Sequence, residues 1–268
     1  MKSNYLKKHI EAFFTESTAI NANLHIIDTF LLARCAQVKK DFPVEGYQLY
    51  SMMTTYRDLS QLEGGNNLYD TGNRYYLTTD NLDDETSRLL SYVSCLTISQ
   101  IFEVFESFLK NVLTESAYQQ NELIEILKIE SINTQFDSIR SSLYKIQGTN
   151  NKGLIKSLRK VSPFFKQHEH DNIWGINMSD WFNLIASIRH IVIHNRQIVG
   201  SDFDPFLKSY GLKKLFDRHF SLNGRLLVLT TYEANTIIDY LYQYAHLIYK
   251  GLSKDFELEL DFNFKPVR

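Results

Sequence analysis

The stretch TSRLLSYVSCLTISQIFEVFESFLKNVL, residues 86–113, decides the fold class. Leu89, Val93, Leu96, Ile101, Phe105, Phe108 and Val112 form one apolar stripe at close to 3.6-residue spacing, the period of a helix with one buried face. Asp83, Asp84 and Glu85 place negative charge where a helix N-terminus is positive, and Thr86 offers a capping hydroxyl. The spacing predicts a helix that runs beyond residue 115, with Phe102, Phe105 and Phe108 as ordinary core. Upstream, residues 5–40 repeat the pattern with Ile10, Phe13, Phe14, Ile20, Leu24, Ile27, Phe30 and Leu31. Between the two helices the periodicity breaks, from Asp41 to Asp84. Residues 63–67 and Asp70-Thr71-Gly72-Asn73 are turn signals, and Tyr75–Thr79 is the one short strand expected there.

Downstream the chain stays helical. Residues 123–146 read as a helical stretch broken near Asn133, followed by a loop over 147–151. The segment 152–166 turns Leu154, Ile155 and Leu158 inward and stops at Ser162-Pro163, and His168–Asn172 reads as a polar surface loop. A helix capped by Ser179 follows. It packs through Leu184, Ile185, Ile188, Ile191, Val192 and Val199, and Gly200 is its natural stop. A shorter segment near 204–219, a turn at Asn223-Gly224 and an apolar run Leu226–Leu229 lead to a last helix, Tyr232–Lys250, with Ile237, Ile238, Leu241, Ala245 and Ile248 inward. The tail alternates through Phe256, Leu258, Leu260 and Phe262 like a closing strand. The expected organisation is an N-terminal helix with an irregular Tyr-rich extension (1–82), a helical domain (83–252) and a tail (253–268).

Composition agrees with an all-α protein. Only 4 prolines and 11 glycines punctuate 268 residues, which favours long uninterrupted helices. Apolar and charged fractions of 44% and 22% belong to an ordinary globular chain with a sizeable core. Glu11, Glu16 and Asn21 interrupt the apolar residues behind the basic N-terminus, so no secretory leader is expected, and no run is expected to reach bilayer length. Cys35 and Cys95 are too few and too far apart for a disulfide framework or a zinc site, so a cytoplasmic chain with reduced thiols is expected. A net charge of −2 argues against a general nucleic-acid coat. Local charge is less even: Lys152, Lys156, Arg159, Lys160 and Lys166 form a basic patch without an acidic residue, and Lys208, Lys213, Lys214 and Arg218 form another. Such patches attract phosphate backbones, although solvated helix faces look the same in sequence.

The chemistry concentrates in Ile188-Arg189-His190-Ile191-Val192-Ile193-His194-Asn195. A permanent cation, two imidazoles and an amide stand within two turns of an apolar segment, where they need water or partners. Residues five apart on a helix lie about 140° round and about 7.5 Å along the axis, so Arg189 and His194 are not stacked but can line one groove. His190 and His194, four apart, share a face. Arginine can neutralise an oxyanion while histidine moves a proton. The alternative is structural: His and Asn satisfying a helix C-terminus, with Arg189 paired to a core carboxylate such as Glu106.

Arg-His-x-x-x-His-Asn in the penultimate long helix of an all-α domain resembles the HEPN superfamily, whose members carry Arg-x4–6-His, commonly with a polar residue just after the arginine. His190 matches that position and Asn195 follows as in many members. Phe105–Leu113 is similar to the first-helix pattern of several HEPN groups, as is Asn223-Gly224-Arg225 followed by Leu229–Glu233 and a final helix. The resemblance covers roughly residues 85–250. It implies an antiparallel helical bundle that dimerises so that two motif helices form one cleft, and a metal-independent endoribonuclease without a cofactor. An RNA 2′-hydroxyl would attack the adjacent phosphorus, leaving a 2′,3′-cyclic phosphate and a 5′-hydroxyl. His194 would act as general base or acid, Arg189 would hold a phosphate oxygen, and His190 and Asn195 would orient the phosphate or partner imidazole, with Glu106 in the same cleft. Lys152, Lys156, Arg159, Lys160 and Lys166 would bind RNA. The resemblance further implies a toxin or antiviral-defence effector, with an antitoxin or nucleotidyltransferase as partner and no membrane. Inactive members imply the alternative, a non-catalytic HEPN dimer binding nucleotide, RNA or a partner protein; a structural helical dimer without a ligand is a third.

Other constellations are weaker. His190 and His194 have the spacing of a helical metal pair, and His168-Glu169-His170 could add ligands, but the glutamate of zinc proteases is replaced by Ile191, Val192 and Ile193. Gly64-Gly65 lacks the lysine and hydroxyl of a phosphate loop, no serine sits in a nucleophile elbow, and Cys95 reads as core.

Overall fold

A computed structural model describes residues 2–58, 60, 67–129, 135–146 and 152–260. The chain is mainly helical, with ten helices and two small antiparallel sheets among the described residues. In order these are α1 (Lys7–Asp41), β1 (Gln48–Tyr56), β2 (Tyr69–Thr78), α2 (Leu82–Gln119), α3 (Glu122–Ile126), α4 (Phe136–Ile146), α5 (Lys152–Val161), α6 (Pro163–His168), α7 (Met178–Asn195), α8 (Phe203–Ser209), α9 (Lys213–His219), β3 (Ser221–Asn223), β4 (Leu226–Val228) and α10 (Thr231–Asp255). The chain divides into two compact units, Met1–Leu24 with Tyr92–Arg268, and His25–Ser91. The boundary passes through α1 and α2. The first half of α1, Lys7–Leu24, thus belongs with the helical unit, whereas the sequence pattern places a break at 82.

In the larger unit the core is built on α2, α7 and α10. Phe102 stacks on Phe182 at 5.3 Å and Phe105 on Tyr244 at 5.6 Å, so one aromatic layer joins the three helices. Phe13 of α1 closes it against Phe105 and Phe108. Such rings bury large areas and set their neighbours' positions. Ile101, Val112, Leu184, Ile185, Ile237, Leu241 and Ile248 are sealed from solvent. Gly251 of α10 permits a close approach of α6. A Cβ there would stand 2.9 Å from Ser162 Oγ and 3.0 Å from Phe165 Cβ. Across that contact Asp255 accepts hydrogen bonds from Ser162 Oγ and Phe164 N, satisfying the start of α6 from α10.

The smaller unit differs from its expectation. The segment read as irregular around one strand holds a β1–β2 hairpin, with Met52 opposite Tyr75 and Tyr56 opposite Tyr69. Both hairpin faces are largely exposed. Leu89, Ile27 and Phe30, expected in apolar stripes, are also exposed.

Local corrections follow from capping. Helix α5 ends at Val161, at the expected stop before Ser162-Pro163, and Pro163 then begins a further helix, α6: the Ser162 hydroxyl accepts from Phe165 N, and proline at the first helical position lacks only an amide that would go unpaired. Helix α7 is capped by Asn177, two residues before Ser179, because the Asn177 side chain reaches both Ser179 N and Asp180 N. Helix α2 begins at Leu82, so Thr86 lies inside it. The expected break near Asn133, the turn signal over 63–66, the loop over 147–151 and the tail position Phe262 lie outside the described residues. Helix α2 is also long and apolar enough to cross a membrane, with a mean hydropathy of 1.2 over eighteen residues, contrary to the expectation of no such run; 61% of that window is buried inside the protein.

Candidate functional site

The motif sits on the last two turns of α7 because both helix ends are held. At the C-terminus Arg196 and Gln197 adopt left-handed backbone, φ +51° and +64°, and both amides return to Ile191 O. That conformation costs a non-glycine residue, and the contacts beyond stabilise it. Gln197 is buried, its carbonyl accepts from Leu227 N at 2.9 Å, and Val199 N donates to Arg225 O. Strand β4 and the residue before it therefore clamp the chain as it leaves the helix, which ends at Asn195, five residues before the expected stop at Gly200.

At the other end lies a buried ionic network. Glu169, expected in a surface loop, has no solvent exposure. Its carboxylate accepts from Arg159 Nε at 2.6 Å and Nη2 at 2.9 Å, and from the Tyr244 hydroxyl at 2.5 Å. Burial, then the Glu169 charge, push the Tyr244 phenol well above its ordinary range. Arg159 also donates to Ser179 Oγ in the first turn of α7. Arg159 thus ties the start of α7 to Glu169, ten residues of helix (about 15 Å) from Arg189. The guanidinium expected to bind RNA is engaged by Glu169 and Ser179. Lys152 lies over the Tyr210 ring, and Lys156, Lys160 and Lys166 are exposed.

Along the motif, burial changes within one turn. Ile188, Ile191 and Val192 are core, whereas His190, His194 and Asn195 are exposed and Arg189 is half-buried. The imidazoles of His190 and His194 lie 4.7 Å apart, centroid to centroid. Among the described residues no third His, Cys, Asp or Glu joins them in a ligand group. Arg189 points away from them toward α2, and its Nη2 donates to Glu103 Oε1 at 2.9 Å. Its Nε is buried with no hydrogen-bond partner among the described residues. Burial raises the carboxyl pKa of Glu106, and the nearby charges of Arg189 and Lys110 only partly oppose it. The expected carboxylate is therefore in the arginine's field, while the hydrogen-bonded one is Glu103, one turn earlier. Its position three residues before Glu106, on the same helix flank, was the available signal.

His190 and Asn195 line a shallow groove of about 340 Å³ that extends toward α8; Arg189 and His194 lie outside its lining. Larger grooves, about 540 and 530 Å³, lie within the smaller unit and beside Trp174 and His246, and neither is lined by a motif residue. Cys95 is sealed in the core, and burial holds its thiol up at about 12, which is the setting of an inert packing cysteine. No family model, no curated protein and no solved structure matches this chain.

Proposed function

We propose that this chain is a metal-independent endoribonuclease of the HEPN type, acting as a cytoplasmic toxin or antiviral-defence effector. In this proposal two copies place their α7 helices across one cleft. One observation carries it: His190, His194 and Asn195 are exposed together on the last two turns of α7, with a half-buried Arg189 beside them. Buried polar side chains would instead be spent on internal partners. The 2′-oxygen bonds to phosphorus as its proton passes to a histidine; the bond to the 5′-oxygen breaks, and a proton is returned to that oxygen. His194 moves protons, Arg189 neutralises the phosphorane oxygen, and His190 and Asn195 orient the phosphate. Glu103 must yield Arg189 for this to occur.

That ion pair supports the second reading, a non-catalytic HEPN dimer whose arginine is held by its own carboxylate. Cleavage of a mixed RNA pool in EDTA separates the two. Wild-type cuts ending in 2′,3′-cyclic phosphate, reduced about 10²–10⁴-fold in His194→Ala, support the ribonuclease. Intact RNA with a folded, dimeric protein supports the binding module.

A further inference from the structure

The groove beside the motif carries a feature that phosphate chemistry does not use. Its lining includes Ser187, His190 and Asn195 of α7 together with Asp202 and Phe206. Asp202 stands at the capping position of α8 yet makes no side-chain capping bond, and its carboxylate has no hydrogen-bond or ion-pair partner among the described residues. The side chain folds back over Gly200 instead, where a Cβ would lie 2.4 Å from Asp202 Oδ1. The absence of a side chain at Gly200 therefore lets the carboxylate occupy this place in the groove.

Asp202 is exposed, so a ligand can reach its carboxylate, and that carboxylate repels phosphate. An ionised carboxylate only accepts hydrogen bonds, and its two oxygens match two adjacent donors. Among the four RNA bases, guanine alone presents such a pair, N1–H beside N2–H₂. Adenine and cytosine set their amino group next to an acceptor nitrogen, and uracil flanks its N3–H with two carbonyls. Single-stranded RNA is read in this way, on Watson–Crick edges with the base stacked on an aromatic ring. Phe206 is only partly buried and supplies such a ring. His190 links groove and motif, since it lines the one and lies 4.7 Å from His194 of the other.

We propose that this groove is a nucleobase subsite that selects guanine next to the scissile phosphate, with Asp202 as the specificity residue. This rests on the ribonuclease reading for its place in a reaction, but base binding can be measured without any cleavage. Saturation-transfer NMR with the four nucleoside 3′-monophosphates, on wild type, Asp202→Asn and Gly200→Ala, is the test. The expected result is a guanosine preference of about tenfold or more, the scale of hydrogen bonds to a charged group. Asp202→Asn should abolish it by replacing one acceptor with a donor. Gly200→Ala should weaken it with the charge retained, by displacing the carboxylate. Equal signals from all four nucleotides in wild type would overturn the proposal, as would a guanosine preference that survives in Asp202→Asn. Mapped cuts in mixed RNA keep the two levels apart. Cuts at all four bases overturn the subsite alone; guanosine selectivity without any cut overturns the ribonuclease and leaves the subsite standing.

Discussion

Arg159 and Arg189 stand on α5 and α7 of the same unit, and each meets a glutamate at ordinary ion-pair distance. Their settings differ. Arg159 meets Glu169 with two nitrogens, and that carboxylate is wholly buried and shared with Tyr244. Arg189 meets Glu103 with one nitrogen, and the Glu103 side chain is 53% exposed. A buried carboxylate that loses its cation keeps its desolvation cost, whereas an exposed one regains water. Burial of the acidic partner, more than the arginine, separates a structural tie from a pair that can open for a ligand.

The strongest way to break this comparison is at Glu169. Glu169→Ala leaves Arg159 half-buried and Tyr244 without its acceptor. Loss of one partner of a buried pair costs about 3–5 kcal/mol, so urea unfolding should show a midpoint far below wild type, or no folded protein. A loss under about 1 kcal/mol would place this pair in the same class as Arg189–Glu103.

Gly251→Ala tests whether helix approach sustains that network. Alanine is the better helix former by about 1 kcal/mol, yet here its methyl meets Ser162 Oγ and Phe165 at 2.9–3.1 Å. Forcing α6 off α10 would also strain the route from Phe165 to Glu169. A net loss of about 1–3 kcal/mol is expected, read as a lower Tm; an unchanged or higher Tm would show that α6 can yield.

These contrasts explain how much was legible in the sequence. Helices α1, α2, α7 and α10 are visible because one face is buried, which imprints a 3.6-residue period. Strand β1 left no such imprint: Tyr50, Met52, Met53 and Tyr56 are all exposed, so neither face demanded alternation. The motif was legible as a cluster because Arg189–Asn195 is continuous in the chain. Partners were not, since Glu103 and Glu169 reach their arginines only through helix packing, and nothing in His168-Glu169-His170 distinguishes a buried carboxylate from a solvated one. The groove wall at Asp202 was equally hidden. Its meaning depends on a side chain turning back over Gly200 instead of capping α8.

Glu106 offers a smaller test on the Arg189 side. Burial raises its folded pKa above the ordinary 4.5 despite the nearby cation. The unfolded state therefore releases this proton first as pH rises. Native stability falls from about pH 4.5 upward, until the folded-state carboxyl has also ionised. Glu106→Gln removes that loss. Its Tm should match wild type near pH 4 and exceed it at pH 7; a variant less stable than wild type at pH 7 would show that ionised Glu106 is held by a favourable bond instead.

The smallest effect on folding belongs to Glu103→Gln. Breaking a solvent-exposed pair changes stability by about 0–1 kcal/mol, so thermal unfolding should barely move. Ligand binding is where this variant should show its effect. With its counter-charge gone, Arg189 offers Nη2 to phosphate, and affinity for a short single-stranded RNA should rise, most clearly at low salt where unscreened charge counts most. Fluorescence anisotropy of a labelled RNA against Glu103→Gln and Arg189→Gln resolves the point. If both variants bind RNA as wild type does, Arg189 is a structural residue like Arg159, and the difference in burial between the two pairs carries no functional meaning.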